Sequence, residues 1–446
     1  MNTTLVVIGF AMVIVLIALL LSGKTVPMVA FVLVSFIGAL LAGFSLPDIS
    51  TFVGDGVKTV INSVGMAMFA TAFFTIMTSI GVFDPLVRFL SRYAGNVTII
   101  FLITYLVATV GHFDTGTTST ILLTIPMMLP LYRKFHIRVE WMFLMIGMAV
   151  AMMNLLPMGG GIIGLSAVSG IDVGVLFNQI VPVIGIGWVI NIVLIVVVYS
   201  KMEKKRIAKM SSEAKQAQDD EYRALLEVGR KGAELQEVKM DVKYWANLIL
   251  TLVTVAVVFI DIIRAYFVFM IAFMIALLIN YKGNKAKQDV VKLCAGNCYP
   301  IAAVMMCAGV FVGVMSGSGM LTEMAAFIVS LIPSSMHGVY NVLLAVICTP
   351  MSIALGSQAY YYGFSPLLLE VGTTMGVTTL STIATLQITQ NAFGFITPVS
   401  AVNHLACGML GRDIKDVFRF CFPKLLLMLA IQFTVSVLVG LIAMGA

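Results

Sequence analysis

The stretch NLLPMGGGIIG, residues 154–164, interrupts an apolar segment that is long enough to cross a membrane. Proline lacks a backbone N–H and consecutive glycines disfavour a helix, so this stretch should unwind. Non-helical backbone persists at membrane depth only where protein or a water-filled cavity satisfies its polar groups. We therefore predict a ligand site here, with a glycine-lined contact between helices as the alternative. The predicted members of the site are Asn154, Pro157, Gly159, Gly160 and Gly161.

The composition places this stretch in a membrane protein. Of the 446 residues, 60% are hydrophobic and 11% are charged, whereas a soluble domain carries roughly 25% charged residues. The segment 201–243 alone contains 20 of the 48 charged residues. This distribution excludes a soluble globular enzyme, a disordered protein and a nucleic-acid-binding protein. The expected fold class is an all-α polytopic membrane protein.

Apolar segments of about 20 residues predict about ten membrane spans. They are residues 4–22, 26–43, 65–83, 141–168, 175–199, 245–260, 263–280, 298–316, 378–408 and 424–443. Two further apolar segments, 97–131 and 338–368, are broken by polar residues and are predicted to be re-entrant hairpins. Basic clusters are expected on the cytoplasmic side. This rule predicts a multi-pass protein of the cell inner (plasma) membrane, with extracellular termini and a cytoplasmic linker at 201–243.

An internal repeat is visible when the sequence is shifted by about 241 positions. Pro157 then aligns with Pro398, and Gly170 aligns with Gly411. The predicted repeats are residues 1–200, with hairpin 97–131, and residues 244–446, with hairpin 338–368. Equivalent loops differ in charge, which predicts two inverted repeats of five spans, each with one hairpin and one unwound helix. Such repeats are typical of secondary transporters, whose substrate site lies between them.

The tip of the first hairpin, GHFDTGTTST at residues 111–120, contains an acid at predicted membrane depth. Ionisable residues in that position are rare and usually functional. Asp114 could carry a proton or ligate a cation, and it could also cap the returning helix. The predicted binding residues of this tip are Asp114, Thr115, Gly116, Thr117 and Thr118.

The second half offers two comparable breaks. The hairpin tip LGSQAYYYG, residues 355–363, contributes Gly356, Ser357, Gln358 and Tyr360, although its tyrosines could instead belong to an interfacial aromatic belt. The segment ITPVSAVNH, residues 396–404, aligns with the first unwound stretch. Its predicted substrate contacts are Thr397, Pro398, Ser400, Asn403 and His404, and a buried structural role for His404 is the alternative.

Enzymatic chemistry is not expected. The sequence contains no Walker A motif, no GxGxxG in a βαβ setting, no HExxH and no nucleophile elbow. The six cysteines lack the spacing of a structural zinc site. We expect no cofactor and no resident metal site, apart from the cation or proton that Asp114 could bind.

Several motifs resemble one transporter family. These are GVFDPLVRFL, DTGTTSTILLTIPMMLPLYRK, MNLLPMGG, SQAYYYGFSPLL and GRDIKDVFRF. Nearly the whole chain outside the linker resembles the citrate–metal–proton symporter family of the ion transporter superfamily. The resemblance implies import of citrate, often as a divalent-metal complex, together with protons. It also implies a homodimer in membrane lipid with an elevator-like movement of the hairpin-bearing domain.

Three residues at two sites differ from the pattern expected of this family. Ser357 and Gln358 stand where an Asn-Asp pair is expected, and Gly164 stands where an Arg is expected. An arginine would clamp a carboxylate and an aspartate would ligate a divalent cation. We therefore predict a secondary active importer of an organic anion, citrate-like or a smaller carboxylate, driven by H⁺ or Na⁺ symport. A cation/proton antiporter with Asp114 as its exchange site is the alternative.

Overall fold

The computed structural model describes residues 2–22, 24–82, 85, 95–113, 115–229, 240–260, 263–333, 338–355, 357–397 and 400–443. These residues form helices and contain no β-strand. The helices in chain order are α1 (Thr3–Ser22), α2 (Pro27–Leu41), α3 (Leu46–Ser79), α4 (Val97–Gly111), α5 (Thr117–Lys134), α6 (Val139–Met153), α7 (Gly160–Ser169), α8 (Val173–Val193), α9 (Ser200–Ala208), α10 (Ser212–Gly229), α11 (Val242–Ile260), α12 (Ala265–Asn280), α13 (Asn284–Gly317), α14 (Met320–Leu331), α15 (Tyr340–Ala354), α16 (Ser365–Thr374), α17 (Thr379–Phe393), α18 (Ala401–Met409) and α19 (Ile414–Leu438). Two π-helical segments, Leu194–Tyr199 and Ala359–Phe364, join α8 to α9 and precede α16.

The all-α class predicted from the composition is confirmed. Within the described residues, five apolar helical stretches are long enough to cross a membrane. They are Thr3–Leu20, Leu46–Met77, Val173–Ala208, Cys298–Gly317 and Ile414–Leu438. Other apolar helices have 10–17 residues and lie in the hairpins, the interrupted helices and the helices packed around them. The chain is a multi-pass membrane protein.

Several predicted span boundaries differ from the helices. The helix predicted at 65–83 begins at Leu46, and the one predicted at 298–316 begins at Asn284. Both helices extend through segments that carry charged residues and therefore fall outside an apolar window. The spans predicted at 141–168 and 378–408 are each divided in two. Helix α14 was not predicted, although its twelve residues are largely apolar.

Helices α3 and α13 form the long central pair of one group of helices. Both have 34 residues, and they pack along each other together with α2 and α12. A Cβ atom added to Gly56 would meet Gly309 O and would lie 2.6 Å from Gly313 Cα. Only glycine allows the two backbones to approach this closely.

The second group contains both hairpins and both interrupted helices. The first hairpin is α4–α5, and the second is formed by α15 with the π-helical segment and α16. Each is followed by an interrupted helix, α6–α7 or α17–α18, and then by a long proline-containing helix, α8 or α19. The same order of elements therefore occurs twice. Their inverted relationship stays a prediction.

The predicted linker at 201–243 contains helices α9 and α10. The many charges of the linker indicate a solvated segment, but part of it is packed against the hairpin group. Glu203 is only 2% exposed and accepts hydrogen bonds from Trp141 Nε1 at 2.8 Å and from the backbone N of Arg138 at 2.9 Å. Arg206 also donates to Glu203, at 2.7 Å. Because Glu203 joins the linker to α6, this part of the linker belongs to the folded body.

Candidate functional site

A cavity of about 560 Å³ lies between the two groups of helices. Its volume falls within the range of small-molecule sites. One wall comes from α1, α2, α3 and α13, and the other from the two hairpins and the two interrupted helices. The polar or glycine residues that line it are Thr71, Thr115, Thr117, Asn154, Gly160, Gly161, Ser357, Gln358, Tyr361, Tyr362, Gln390, Asn391, Gly394, Thr397, Ser400 and Asn403.

Four helices begin at this cavity. Helix α5 begins at Thr117, α7 at Gly160 and α18 next to Ser400, while a helical turn begins at Ser357. No side chain of the described residues caps α5, α7 or α18. The first N–H groups of a helix lack partners within the helix, and the helix dipole adds a partial positive charge there. The cavity therefore offers a positive potential from the backbone, which favours an anion.

The described side chains that line the cavity are uncharged. None of the described lining residues is Asp, Glu, His, Lys or Arg. The amides and hydroxyls listed above can donate to a carboxylate, but they supply no countercharge. Elsewhere in the described residues, no cluster of three or more His, Cys, Asp or Glu side chains could hold a metal ion.

The break between α6 and α7 is organised around Asn154. Its backbone oxygen accepts a hydrogen bond from Ile162 N at 3.1 Å, which closes the unwound segment. A Cβ atom at Gly161 would lie 2.9 Å from both Asn154 O and the Tyr361 hydroxyl, and it would also meet Gln387 Nε2. The glycine is therefore required by close approach, and it brings the start of α7 against the second hairpin.

The structure also accounts for Gly164. A Cβ atom at this position would lie 3.0–3.2 Å from the Tyr361 ring. The arginine that the family resemblance led us to expect has no room here while Tyr361 occupies this place. The Tyr361 ring is buried and its hydroxyl lies 3.5 Å from Gln387 Nε2. A tyrosine and a glutamine thus occupy the space beside α7.

The cavity brings together ten of the residues predicted from the sequence. They are Thr115, Thr117, Asn154, Gly160, Gly161, Ser357, Gln358, Thr397, Ser400 and Asn403. Three predicted residues, Asp114, Gly356 and Pro398, lie outside the described residues. The remaining six predicted residues do not line the cavity: Gly116, Thr118, Pro157, Gly159, Tyr360 and His404.

Local geometry explains most of these differences. Gly159 packs on the backbone of Asn154, where a Cβ atom would come within 2.5–2.6 Å of Asn154 atoms. Tyr360 is fully buried and donates to Leu386 O at 2.9 Å, so it belongs to the helix packing. Thr118 and His404 have exposed side chains. In α18 the neighbouring Asn403 is buried instead, because adjacent helical residues point in directions about 100° apart.

The amides of α17 were not predicted from the sequence. Gln387, Gln390 and Asn391 are spaced i, i+3 and i+4, so they share one face of this helix. Gln390 and Asn391 line the cavity, and Gln387 Nε2 lies 3.1 Å from Asn391 Oδ1. The Oε1 atoms of Gln387 and Gln390 are buried and have no hydrogen-bond partner among the described residues, which is unusual for amides. Polar residues at helical spacing within a predicted span were the available signal.

Comparisons with known proteins agree with this architecture. A family model described as "Citrate transporter" matches residues 2–390. The chain is 29% identical over 443 residues to a Mg(2+)/citrate complex secondary transporter of Bacillus subtilis (strain 168), covering 99% of this chain and 100% of that protein. It is 28% identical over 445 residues to a citrate transporter of the same organism, covering 98% and 100%.

A solved structure shares the fold. The crystal structure of the Alcanivorax borkumensis YdaH transporter, described as having an unusual topology, matches with a TM-score of 0.54 and 14% identity. The match covers 89% of each chain. At this identity the likeness concerns the fold alone. Because the family model spans most of the sequence, the chain belongs to the citrate transporter (CitMHS) family.

Proposed function

We propose that this protein is a secondary transporter that imports citrate together with a divalent cation bound to it. The observation that carries this proposal is a cavity on which four helices begin and whose described lining residues are uncharged. Helix N-termini and neutral donors suit an anion of low net charge, because they supply only partial positive charges. The two citrate-transporting relatives support the same substrate class.

The charge of the substrate decides between free citrate and a metal complex. Free citrate carries three negative charges near neutral pH, and the cost of removing an ion from water rises steeply with its charge. A bound divalent cation reduces the net charge to one. The missing Asp and Arg led us to expect a carboxylate of lower charge, but a metal-citrate complex of low net charge satisfies the same requirement. The metal then enters as part of the substrate, and no resident metal site is needed.

Uptake by proteoliposomes tests the substrate. Radiolabelled citrate is supplied with Mg²⁺, with another divalent cation or with EDTA, and unlabelled di- and tricarboxylates are added as competitors. We expect saturable uptake that requires the divalent cation. Saturable uptake of a dicarboxylate that is insensitive to EDTA would support the smaller-carboxylate alternative. Thermal melting of the purified protein tests the other alternative. A melting temperature that rises with cations but with no carboxylate would support a cation/proton antiporter.

The coupling ion is proposed to be H⁺ or Na⁺. Imposed gradients of pH or Na⁺ across the same liposomes distinguish the two ions.

In this proposal the two halves of the chain are inverted repeats, and the hairpin group moves as an elevator within a homodimer. The linker then lies in the cytoplasm and both termini lie outside.

Asp114 is the proposed coupling residue, because it is an acid in the first hairpin tip between His112 and Thr117 in the sequence. Asp114→Asn removes the charge and keeps the size of the side chain. We expect loss of gradient-driven accumulation in liposomes, with citrate-dependent thermal stabilisation retained. Wild-type accumulation by this variant would show that the carboxylate is not the coupling group.

A further inference from the structure

Gln387 lies behind the cavity wall, where α17, the second hairpin and the start of α7 meet. It is 1% exposed and is not among the residues that line the cavity. Its Nε2 atom lies 3.1 Å from Asn391 Oδ1 and 3.5 Å from the Tyr361 hydroxyl, and both of these partners do line the cavity. A Cβ atom on Gly161 would meet Nε2, so α7 packs directly on this amide. One buried amide therefore contacts two cavity residues.

The hydrogen bonds of Gln387 determine which ends of its two partners are available to a ligand. An amide nitrogen carries two hydrogens, and here each hydrogen has one acceptor. Because Asn391 Oδ1 accepts from Gln387, the donor end of the Asn391 amide, Nδ2, is left for the cavity. Because the Tyr361 oxygen accepts as well, its hydroxyl hydrogen can point to a ligand. This part of the wall therefore presents hydrogen-bond donors.

This orientation of the Gln387 amide leaves one of its atoms unpaired. Its Oε1 is buried and has no hydrogen-bond partner among the described residues. The opposite orientation would bring Oε1 within reach of the Tyr361 hydroxyl and of a reversed Asn391 amide, and both could donate to it. The wall would then present lone pairs, which repel a carboxylate. An unpaired buried acceptor is unusual and calls for a reason, and the polarity of the cavity wall supplies one.

We propose that Gln387 is a positioning residue for substrate binding, which acts by making Tyr361 and Asn391 present donors to the cavity. Because the described lining residues are uncharged, the attraction for a carboxylate comes from helix N-termini and neutral donors. A carboxylate only accepts hydrogen bonds, so donors in fixed places select it over groups that donate. The inference rests on the proposed function, since the carboxylates of citrate are the groups that these donors would hold.

Calorimetric titration with Mg²⁺-citrate tests the inference. Tyr361→Phe and Asn391→Leu each remove one donor with little change in shape, and each should weaken binding about tenfold. Gln387→Met keeps the length of the side chain but orients neither partner, and it should also weaken binding about tenfold. In the double variant Tyr361→Phe/Asn391→Leu, adding Gln387→Met should cause no further loss, because Gln387 acts through these two residues. A further tenfold loss in that background would overturn the inference.

A second buried glutamine provides a matched control for packing. Gln432 is 5% exposed, and its Nε2 lies 3.5 Å from Asn191 Oδ1. Asn191 does not line the cavity, so Gln432→Met should change the dissociation constant by less than about twofold. If Gln432→Met weakens binding as much as Gln387→Met does, the effect of both substitutions comes from packing, and the inference is wrong.

A ligand-independent measurement keeps the inference apart from the substrate. In protein labelled with ¹⁵N-glutamine, the side-chain NH₂ signals of Gln387 are assigned by their disappearance in Gln387→Met. We expect one N–H proton to shift in Tyr361→Phe and the other to shift in Asn391→Leu. If neither proton responds, Gln387 does not donate to these residues and the inference is overturned. Failure of the wild type to bind citrate while both protons respond would refute the proposed substrate and not the orientation of the two donors.

Discussion

The protein contains two polar regions that are built in opposite ways. The cavity is lined by amides, hydroxyls and helix N-termini, with no charged side chain among its described residues. The second region, which we call the charged clamp, consists of Glu140, Glu203, Arg206, Glu221 and Arg412. It joins the linker helices α9 and α10 to α6 and to the segment before α19.

The clamp pairs each charge with a fixed partner. Arg412 Nε lies 3.0 Å from Glu140 Oε1, and its Nη1 pairs with Glu221. Burial opposes the charge on Arg412, but its hydrogen bonds and Coulombic attraction to Glu221 and Glu140 outweigh this and raise its pKa. Permanent partners are suitable for a structural contact. A site that must release its ligand is more suitably built from partial charges. A buried full charge that loses its partner has a high free energy.

The largest expected effect concerns the cavity. In Gly161→Ala the new methyl group would overlap Asn154 O, the Tyr361 hydroxyl and Gln387. Overpacking of this kind costs about 3 kcal/mol, which corresponds to roughly a hundredfold change in an equilibrium constant. We expect citrate uptake in proteoliposomes to fall by about that factor. The control is Gly185→Ala, because a Cβ atom there meets nothing within 4 Å. Equal uptake by the two variants would show that the close approach at Gly161 is unimportant.

The second prediction concerns the clamp. Glu203→Ala removes the acceptor for Trp141 Nε1 and for the backbone N of Arg138, and it removes the carboxylate that pairs with Arg206. Leaving buried donors unpaired should lower the free energy of unfolding by about 3 kcal/mol. Thermal melting in detergent measures this loss.

The control for Glu203 is Glu213→Ala, since Glu213 is exposed at the start of α10 and should change stability by less than about 0.5 kcal/mol. If the clamp is purely structural, folded Glu203→Ala should bind citrate with the same affinity as the wild type. A large loss of affinity with normal stability would mean that the clamp takes part in binding.

The all-α class and the positions of the helix breaks could be predicted from the sequence because hydropathy and helix breakers act locally. The apolar runs, the two hairpins and the breaks after Met153 and before Ala401 were visible in the pattern of prolines and glycines. The ends of α3 and α13 were not visible, because a polar helix that continues beyond an apolar window leaves no hydropathy signal.

The site could be predicted only in part. Residues next to the breaks, such as Asn154 and Ser357, were found because unwound backbone identifies them. Gln390 lies in a regular helix, and its importance depends on which face of α17 meets the cavity. The packing of Glu203 under the α5–α6 loop was likewise hidden, because a charged segment alone indicates solvent. Both depend on tertiary contacts between residues far apart in the sequence.

The smallest expected effect comes from the half-exposed part of the clamp. Arg412 and Glu221 have side-chain exposures of 28% and 36%, so water screens their attraction. A double-mutant cycle with Arg412→Ala and Glu221→Ala should give a coupling free energy of about 1 kcal/mol that decreases at high salt. The exposed pair Lys58 and Asp55, with exposures of 80% and 66%, should give a coupling close to zero. Equal coupling in the two pairs would mean that burial does not strengthen the clamp. A coupling that changes with citrate instead of salt would mean that the charged clamp and the cavity act together.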